Sequence, residues 1–127
     1  MSRRMSCSMT IDAVRDHTKT VTRRHVDTWR NLHPGDRLTL IEKGMGLPKG
    51  AKQVVICEVE IVDVRLEYLA MIVDEPYGTI HEGLGHMTPS EFIEFWRKGH
   101  GYRDPEVRNV LCRRIEWRYI ADTDGVA

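Results

Sequence analysis

Apolar and polar residues alternate most clearly over Gln53 to Arg65, the longest strand signal in the chain. Val55, Cys57, Val59 and Ile61 fall on one face, and Val54, Ile56, Glu58, Glu60 and Val62 on the other. The apolar side changes over near Ile61-Val62, which predicts a β-bulge or bend where a strand turns a barrel corner. Asn109 to Ile120 alternates too, and the face of Leu111, Arg113, Ile115, Trp117 and Tyr119 is assigned to the core. Arg37 to Ile41 predicts a further half-buried strand. The turn Pro34-Gly35-Asp36 opens it: proline presets φ, glycine supplies a positive φ, and aspartate bonds the backbone beyond. Thr20 to Arg24 is a brief strand with Thr20, Thr22 and Arg24 facing one way and Val21 and Arg23 the other. Residues 3–7 are a short first strand running into Cys7.

Helical spacing fills the gaps. Ser8 or Thr10 caps a helix over Met9 to Asp16. Val26 to Leu32 reads as a helical turn or ordered loop, and Tyr68 to Val73 as a short apolar helix. Thr88-Pro89-Ser90-Glu91 is the clearest local signal: an N-cap, proline at the first helical position and glutamate closing a capping box. That helix runs to about Lys98 and stops at Gly99, with Phe92, Phe95 and Trp96 as a core-facing stripe. Gly44 to Lys52, Glu75 to Met87 and Gly99 to Arg108 read as loops, and residues 122–127 as a disordered tail. Strands with inserted helices and no βαβ rhythm predict one α+β domain over residues 1–121, a small mixed β-barrel with inserted helices.

Composition narrows the class. At 127 residues the chain suits one domain with a real core. No apolar run approaches the ~20 residues of a membrane span, and no apolar segment follows Arg3-Arg4 to form a signal peptide. Cys7, Cys57 and Cys112 are widely spaced and odd in number, which predicts reduced thiols and a cytoplasmic location. The net charge is zero but segregated. Residues 1–37 hold eight basic against four acidic side chains, residues 58–82 one against seven, and residues 97–118 seven against three. Two basic segments could form a face for a phosphate backbone, or could solvate separate faces.

The candidate chemistry gathers at Lys19-Thr20-Val21-Thr22-Arg23-Arg24, where one amine, two hydroxyls and two guanidinium groups surround a single valine. A threonine hydroxyl attacks a carbonyl only when a base takes its proton, and a lysine serves if its pKa is pulled down. Lys19 and Thr22 reach one site only if Lys19 lies in the turn before the strand. Arg24, on the Thr22 face, suits a phosphate or carbonyl oxygen. No C-x-x-C or H-x-x-x-H spacing predicts a metal, and His81, Glu82 and His86 make a weak constellation. No P-loop and no cofactor motif is present.

These residues resemble a family. The strip from Lys19 to Arg24 is similar to the K-T-x-T-x-R strip of ASCH domains, relatives of the PUA RNA-binding domains. Pro34-Gly35-Asp36-Arg37-Leu38 resembles their P-G-D entry into a strand, and His81-Glu82-Gly83-Leu84 their acidic loop. Arg114 to Tyr119 resembles their closing strand, so the likeness spans nearly the whole chain in order. One departure stands out: His17 occupies a position where family members commonly carry glycine. The resemblance implies a PUA-like barrel with a cleft for RNA or a modified nucleoside. Thr20, Arg23 and Arg24, with Tyr77 and His81 from the loop, are then the expected ligand contacts. Some bacterial members are amidohydrolases that deacetylate N4-acetylcytidine. In those, the residue matching Lys19 activates the one matching Thr22, and the one matching Glu82 moves protons. Others bind RNA, and some are described as ribonucleases. A compact domain of this kind suits a bacterium or a phage.

Overall fold

The computed structural model describes residues 3–104 and 109–120; the expected tail over 122–127 and the end of the Gly99 to Arg108 loop lie outside them. Five strands form one mixed sheet: β1 (Arg3–Ser6), β2 (Val21–His25), β3 (Arg37–Ile41), β4 (Val55–Tyr68) and β5 (Leu111–Tyr119). Their spatial order is β1-β3-β4-β5-β2. β1 runs parallel to β3, and the other pairs are antiparallel.

The 14-residue β4 curls this sheet. Its first half pairs with β3, from Arg37 opposite Glu60 to Ile41 opposite Val55. Its second half pairs with β5, out to Tyr68 opposite Leu111. The register shifts between Ile61 and Asp63, at the bend that alternation predicts. An extra residue there increases local twist, so one strand serves two neighbours in different planes. The result is an α+β domain with a barrel-like sheet.

Three short helices and a 3-10 turn connect the strands. Helix α1 (Ile11–Arg15) is shorter than expected, and its N-cap Thr10 makes no side-chain capping bond. The 3-10 turn spans Leu69–Asp74. The stretch Glu75 to Met87, expected as loop, contains helix α2 (Gly78–His81). Its periodicity is too short to read from sequence, and it is placed by packing against the 3-10 turn. Helix α3 (Pro89–Gly99) starts as predicted, with the complete capping box between Thr88 and Glu91. Of the two forms expected over Val26 to Leu32, helical turn or ordered loop, the structure has the loop, with Trp29 at a φ of 56°.

Two apolar clusters result. Inside the curled sheet, Met5, Leu38, Leu40, Val59, Ile61, Ile115 and Trp117 pack together, closed by Val14 of α1. Beneath α3, Leu69, Ile72, Leu84, Phe92, Trp96, Val110 and Cys112 form a second cluster. β5 supplies both. Ile115 and Trp117 point into the barrel as expected, but Leu111 is exposed and Cys112 is buried in the other cluster. The single-core-face assignment for β5 is therefore corrected: α3 and the 3-10 turn cover the opposite face. Arg114, outside the face assigned to the core, is buried as well. Among the described residues, no helix is long and apolar enough to cross a membrane.

Candidate functional site

The chain leaves α1 through a tight turn, and the departure from glycine sits in it. His17 has a φ of 66°, so it adopts the left-handed region that glycine would enter more easily. Its ring is stacked on Tyr119 at 4.0 Å and 9°, which holds a conformation the backbone alone disfavours. The next residues are tied in on all sides. Lys19 N–H donates to the Ala13 carbonyl at 3.0 Å and Thr20 N–H to the His81 carbonyl at 2.8 Å. The Lys19 carbonyl accepts from Trp117 Nε1 at 3.1 Å and from the Tyr119 hydroxyl. Lys19 thus lies in the turn before β2 begins at Val21, the placement its pairing with Thr22 demands.

Gly83 brings the acidic loop against this turn. Its φ is +83°, and a Cβ there would come within 2.9 Å of Ala13 Cβ and 3.2 Å of Lys19 Cβ. Only glycine satisfies both the backbone and the space. The neighbouring Glu82 is consequently held over Lys19. Lys19 Nζ donates to the Glu82 carbonyl oxygen and lies 3.5 Å from its carboxylate Oε1. Arg23 Nη1 donates to the other carboxylate oxygen, Oε2, at 2.8 Å.

Arg23 is the centre of a buried ionic layer. Its guanidinium has no solvent exposure and pairs with Glu67 at 3.2 Å, Glu75 at 2.9 Å and Glu82 at 2.8 Å. Arg114 donates from Nε to the same Glu75 oxygen at 2.9 Å and from Nη1 to Glu116 at 2.9 Å. Arg65 caps the far side of Glu67 at 3.0 Å. Burial works to raise the Glu75 pKa, but the hydrogen bonds and charges of Arg114 and Arg23 outweigh it and hold the carboxyl below its ordinary value. Burial also opposes the Arg23 charge, and the carboxylates of Glu82, Glu75 and Glu67 outweigh that too, raising its pKa.

A pocket of about 230 Å³ opens beside this layer. Lys19, Thr22, Arg24 and Glu82 line it together with Phe95, Trp96 and His100 of the α3 end. Trp96 Nε1 donates to the Arg23 carbonyl at 2.8 Å, which fastens the aromatic wall to β2. Burial pushes the Lys19 pKa down; Glu82 opposes this without reversing it. Arg24 donates from Nε to Thr22 Oγ1 at 3.0 Å and from Nη2 to the Ser6 carbonyl at 2.8 Å. Among the described residues no carboxylate pairs with Arg24, so its charge is available to a ligand. Cys7 also lines the pocket, with its thiol pushed up by burial. Among the described residues, no group of three or more His, Cys, Asp or Glu side chains could hold a metal ion.

The predicted site therefore divides. Lys19, Thr22, Arg24 and Glu82 converge on one pocket. Arg23 touches its lining, but its guanidinium is occupied by three carboxylates; it is corrected from ligand contact to organiser of Glu82. Thr20, Tyr77 and His81 are outside the pocket lining, and Tyr77 is 71% exposed. Thr20 is engaged through its backbone, between His81 and Trp117. The aromatic wall was read as core alone. Phe92 and Trp96 are core by burial, yet they also face the pocket, and periodicity cannot distinguish the two roles.

Comparison with solved structures finds a likeness to the crystal structure of hypothetical protein PH0355. The TM-score is 0.54 at 19% sequence identity, over 93% of this chain and 100% of that one. At this identity the likeness concerns the fold alone. No protein-family model and no curated protein matches the chain.

Proposed function

We propose that the domain is an ASCH-like, PUA-like barrel whose pocket holds one nucleobase or modified nucleoside, free or within RNA. The observation that carries this reading is the convergence of Lys19, Thr22, Arg24 and Glu82 in one pocket with an aromatic wall. An aromatic wall suits the flat face of a base, and the polar side suits its edge and a nearby phosphate or carbonyl. At about 230 Å³ the pocket falls below the roughly 300–1,000 Å³ of drug-sized sites. That favours a single base over a duplex or a large cofactor. Calorimetric titration with cytidine, N4-acetylcytidine and short single-stranded RNA tests it. Saturable binding that Arg24→Gln weakens is the expected result; no heat with any of the three overturns the reading.

A second reading, deacylation of an N4-acylcytidine, is favoured by one further observation. Lys19 is fully desolvated with its pKa lowered, in the same lining as Thr22. A neutral Lys19 would take the Thr22 proton as the hydroxyl attacks the acyl carbon. Glu82 Oε1, 3.5 Å from Lys19 Nζ, would pass that proton to the departing amine as the C–N bond breaks. Water would then release the acid from the threonine ester. The expected outcome is cytidine and acetate from N4-acetylcytidine, with turnover rising as pH approaches the lowered Lys19 value. Full activity in Thr22→Ala would exclude this mechanism and leave the binding reading standing.

A further inference from the structure

The aromatic wall continues beyond the pocket. Met9, Phe95, Trp96 and His100 line both the pocket and an open groove of about 550 Å³, completed by Lys98 and Gly99. His100 stands on the ridge between the two. Its ring is stacked on Trp96 at 3.7 Å and 16°, and its Nδ1 lies 2.8 Å from the Trp96 carbonyl oxygen. Trp96 beneath it is buried and bonded to β2, while His100 itself is exposed. The ridge is thus oriented before any ligand arrives. Met9, 69% exposed, gives the groove an apolar edge. Apart from His100 and Lys98, no lining side chain carries a polar group beyond the Trp96 indole, already bonded to Arg23. A sugar finds few partners there, whereas a flat ring finds a stacking surface. Lys98 is exposed at the rim, and among the described residues no carboxylate pairs with it.

We propose that this groove receives the base next to the one in the pocket, so that the ligand is a single-stranded nucleic acid of at least two nucleotides. The proposal rests on the reading of the pocket as a nucleoside site and names its substrate class. Two cavities sharing four wall residues are placed for consecutive units of one strand. The cations of Arg24 on the pocket side and Lys98 on the groove side match the charge of a connecting phosphate backbone. Stacking of one further base corresponds to roughly a five- to hundredfold gain in affinity.

The test compares N4-acetylcytidine with a dinucleotide carrying it beside adenosine, and with the same dinucleotide lacking the adenine base. The complete dinucleotide is expected to bind at least fivefold more tightly than the nucleoside, and most of that gain is expected to vanish without the adenine. Gly99→Leu supplies a steric check. A Cβ at Gly99 meets no heavy atom within 4 Å, so the leucine is accommodated and its side chain occupies the groove. The gain of dinucleotide over nucleoside is expected to collapse in this variant. A nucleoside that binds as tightly as the dinucleotide overturns the proposal while leaving the pocket reading intact. So does a gain that survives Gly99→Leu or persists without the adenine. Absence of binding by nucleoside and dinucleotide alike overturns both readings.

Discussion

The barrel interior and the ionic layer beside it are equally buried, yet they are built from opposite materials. Ile61 is 1% exposed and Ile115 is 0%; Arg23 and Glu82 are each 3%. In the barrel, apolar area removed from water supplies the stabilisation, and it has no preferred direction. In the ionic layer, Arg23 meets three carboxylates and Arg114 shares one of them. Arg23, Glu67 and Glu82 have lost their water, and the attraction only offsets that loss while their partners stay in place. The barrel can therefore accept a swapped methyl group. The layer cannot accept a missing partner, and in exchange it fixes where the Glu82 carboxylate stands. The site is built on the material that specifies position, and the barrel on the material that tolerates error.

Removing the centre of the layer is the sharpest way to break this contrast. Arg23→Met takes the shared cation from three carboxylates, leaving Glu75 to Arg114, Glu67 to Arg65 and Glu82 to Lys19 alone, and is expected to lose about 3–5 kcal/mol of unfolding free energy at neutral pH. Part of that loss should return as pH falls, because the stranded carboxyl groups protonate and regain neutrality. Urea unfolding at pH 7 and pH 5 measures both effects; a loss below about 1 kcal/mol would mean that the layer is not held as argued. Ile61→Ala, on the barrel side, is expected to lose about 2–5 kcal/mol through lost burial and a residual cavity. The same two urea curves should show a pH-independent deficit relative to the parent protein. A deficit that varies with pH would blur the distinction between the two regions.

The unmodified protein gives a third, smaller signature. Glu75 is held below its ordinary pKa, so its stabilisation is complete above the unfolded value of about 4.3 and is lost as pH falls through the folded value. Lys19 is also lowered, so the folded state binds fewer protons than the unfolded chain and stability rises with pH up to about 10.4. Thermal unfolding across pH should thus show an acid limb that is reduced in Glu75→Gln, Asp16 and Glu91 supplying the remainder, and a shallow alkaline rise absent from Lys19→Met. The smallest effect is expected at the helix that carries the aromatic wall. Thr88→Ala removes the hydroxyl half of the capping box and should cost about 1 kcal/mol; because Thr88 helps hold the Glu91 carboxyl below its ordinary value, that loss shrinks as Glu91 protonates in acid. Chemical denaturation at neutral pH would expose a larger loss, which would tie α3 to the layer more closely than its own cap does.

Much of the architecture was legible because it rests on local signals. The change of apolar side near Ile61-Val62 marked the bend that lets β4 pair with two neighbours. The Thr88 capping box marked the start of α3. The turn at Gly35, with a φ of 92°, led into β3 as predicted. Helix α2 was not legible, since four residues are too few for a period. β5 was misjudged along part of its length because alternation says that two faces differ, not how many layers cover them. Within the site, the density of polar groups from Lys19 to Arg24 singled out a strip, and Glu82 was connected to it through the family resemblance. The aromatic wall was hidden inside an apolar stripe that also serves the core.

By itself, the sequence determined the strands, the bend in the longest of them, the capped helix and the position of Lys19 ahead of its strand. Each follows from neighbours within a few residues, where sterics and periodicity act directly. Only the tertiary structure decided that Arg23 turns to Glu67, Glu75 and Glu82 while Arg24 meets no carboxylate among the described residues. These adjacent arginines are the same chemical group. The alternation of a strand sends them to opposite sides, and the carboxylates that wait on the Arg23 side come from residues more than forty positions away, while Arg24 meets the hydroxyl of Thr22 and the carbonyl of Ser6.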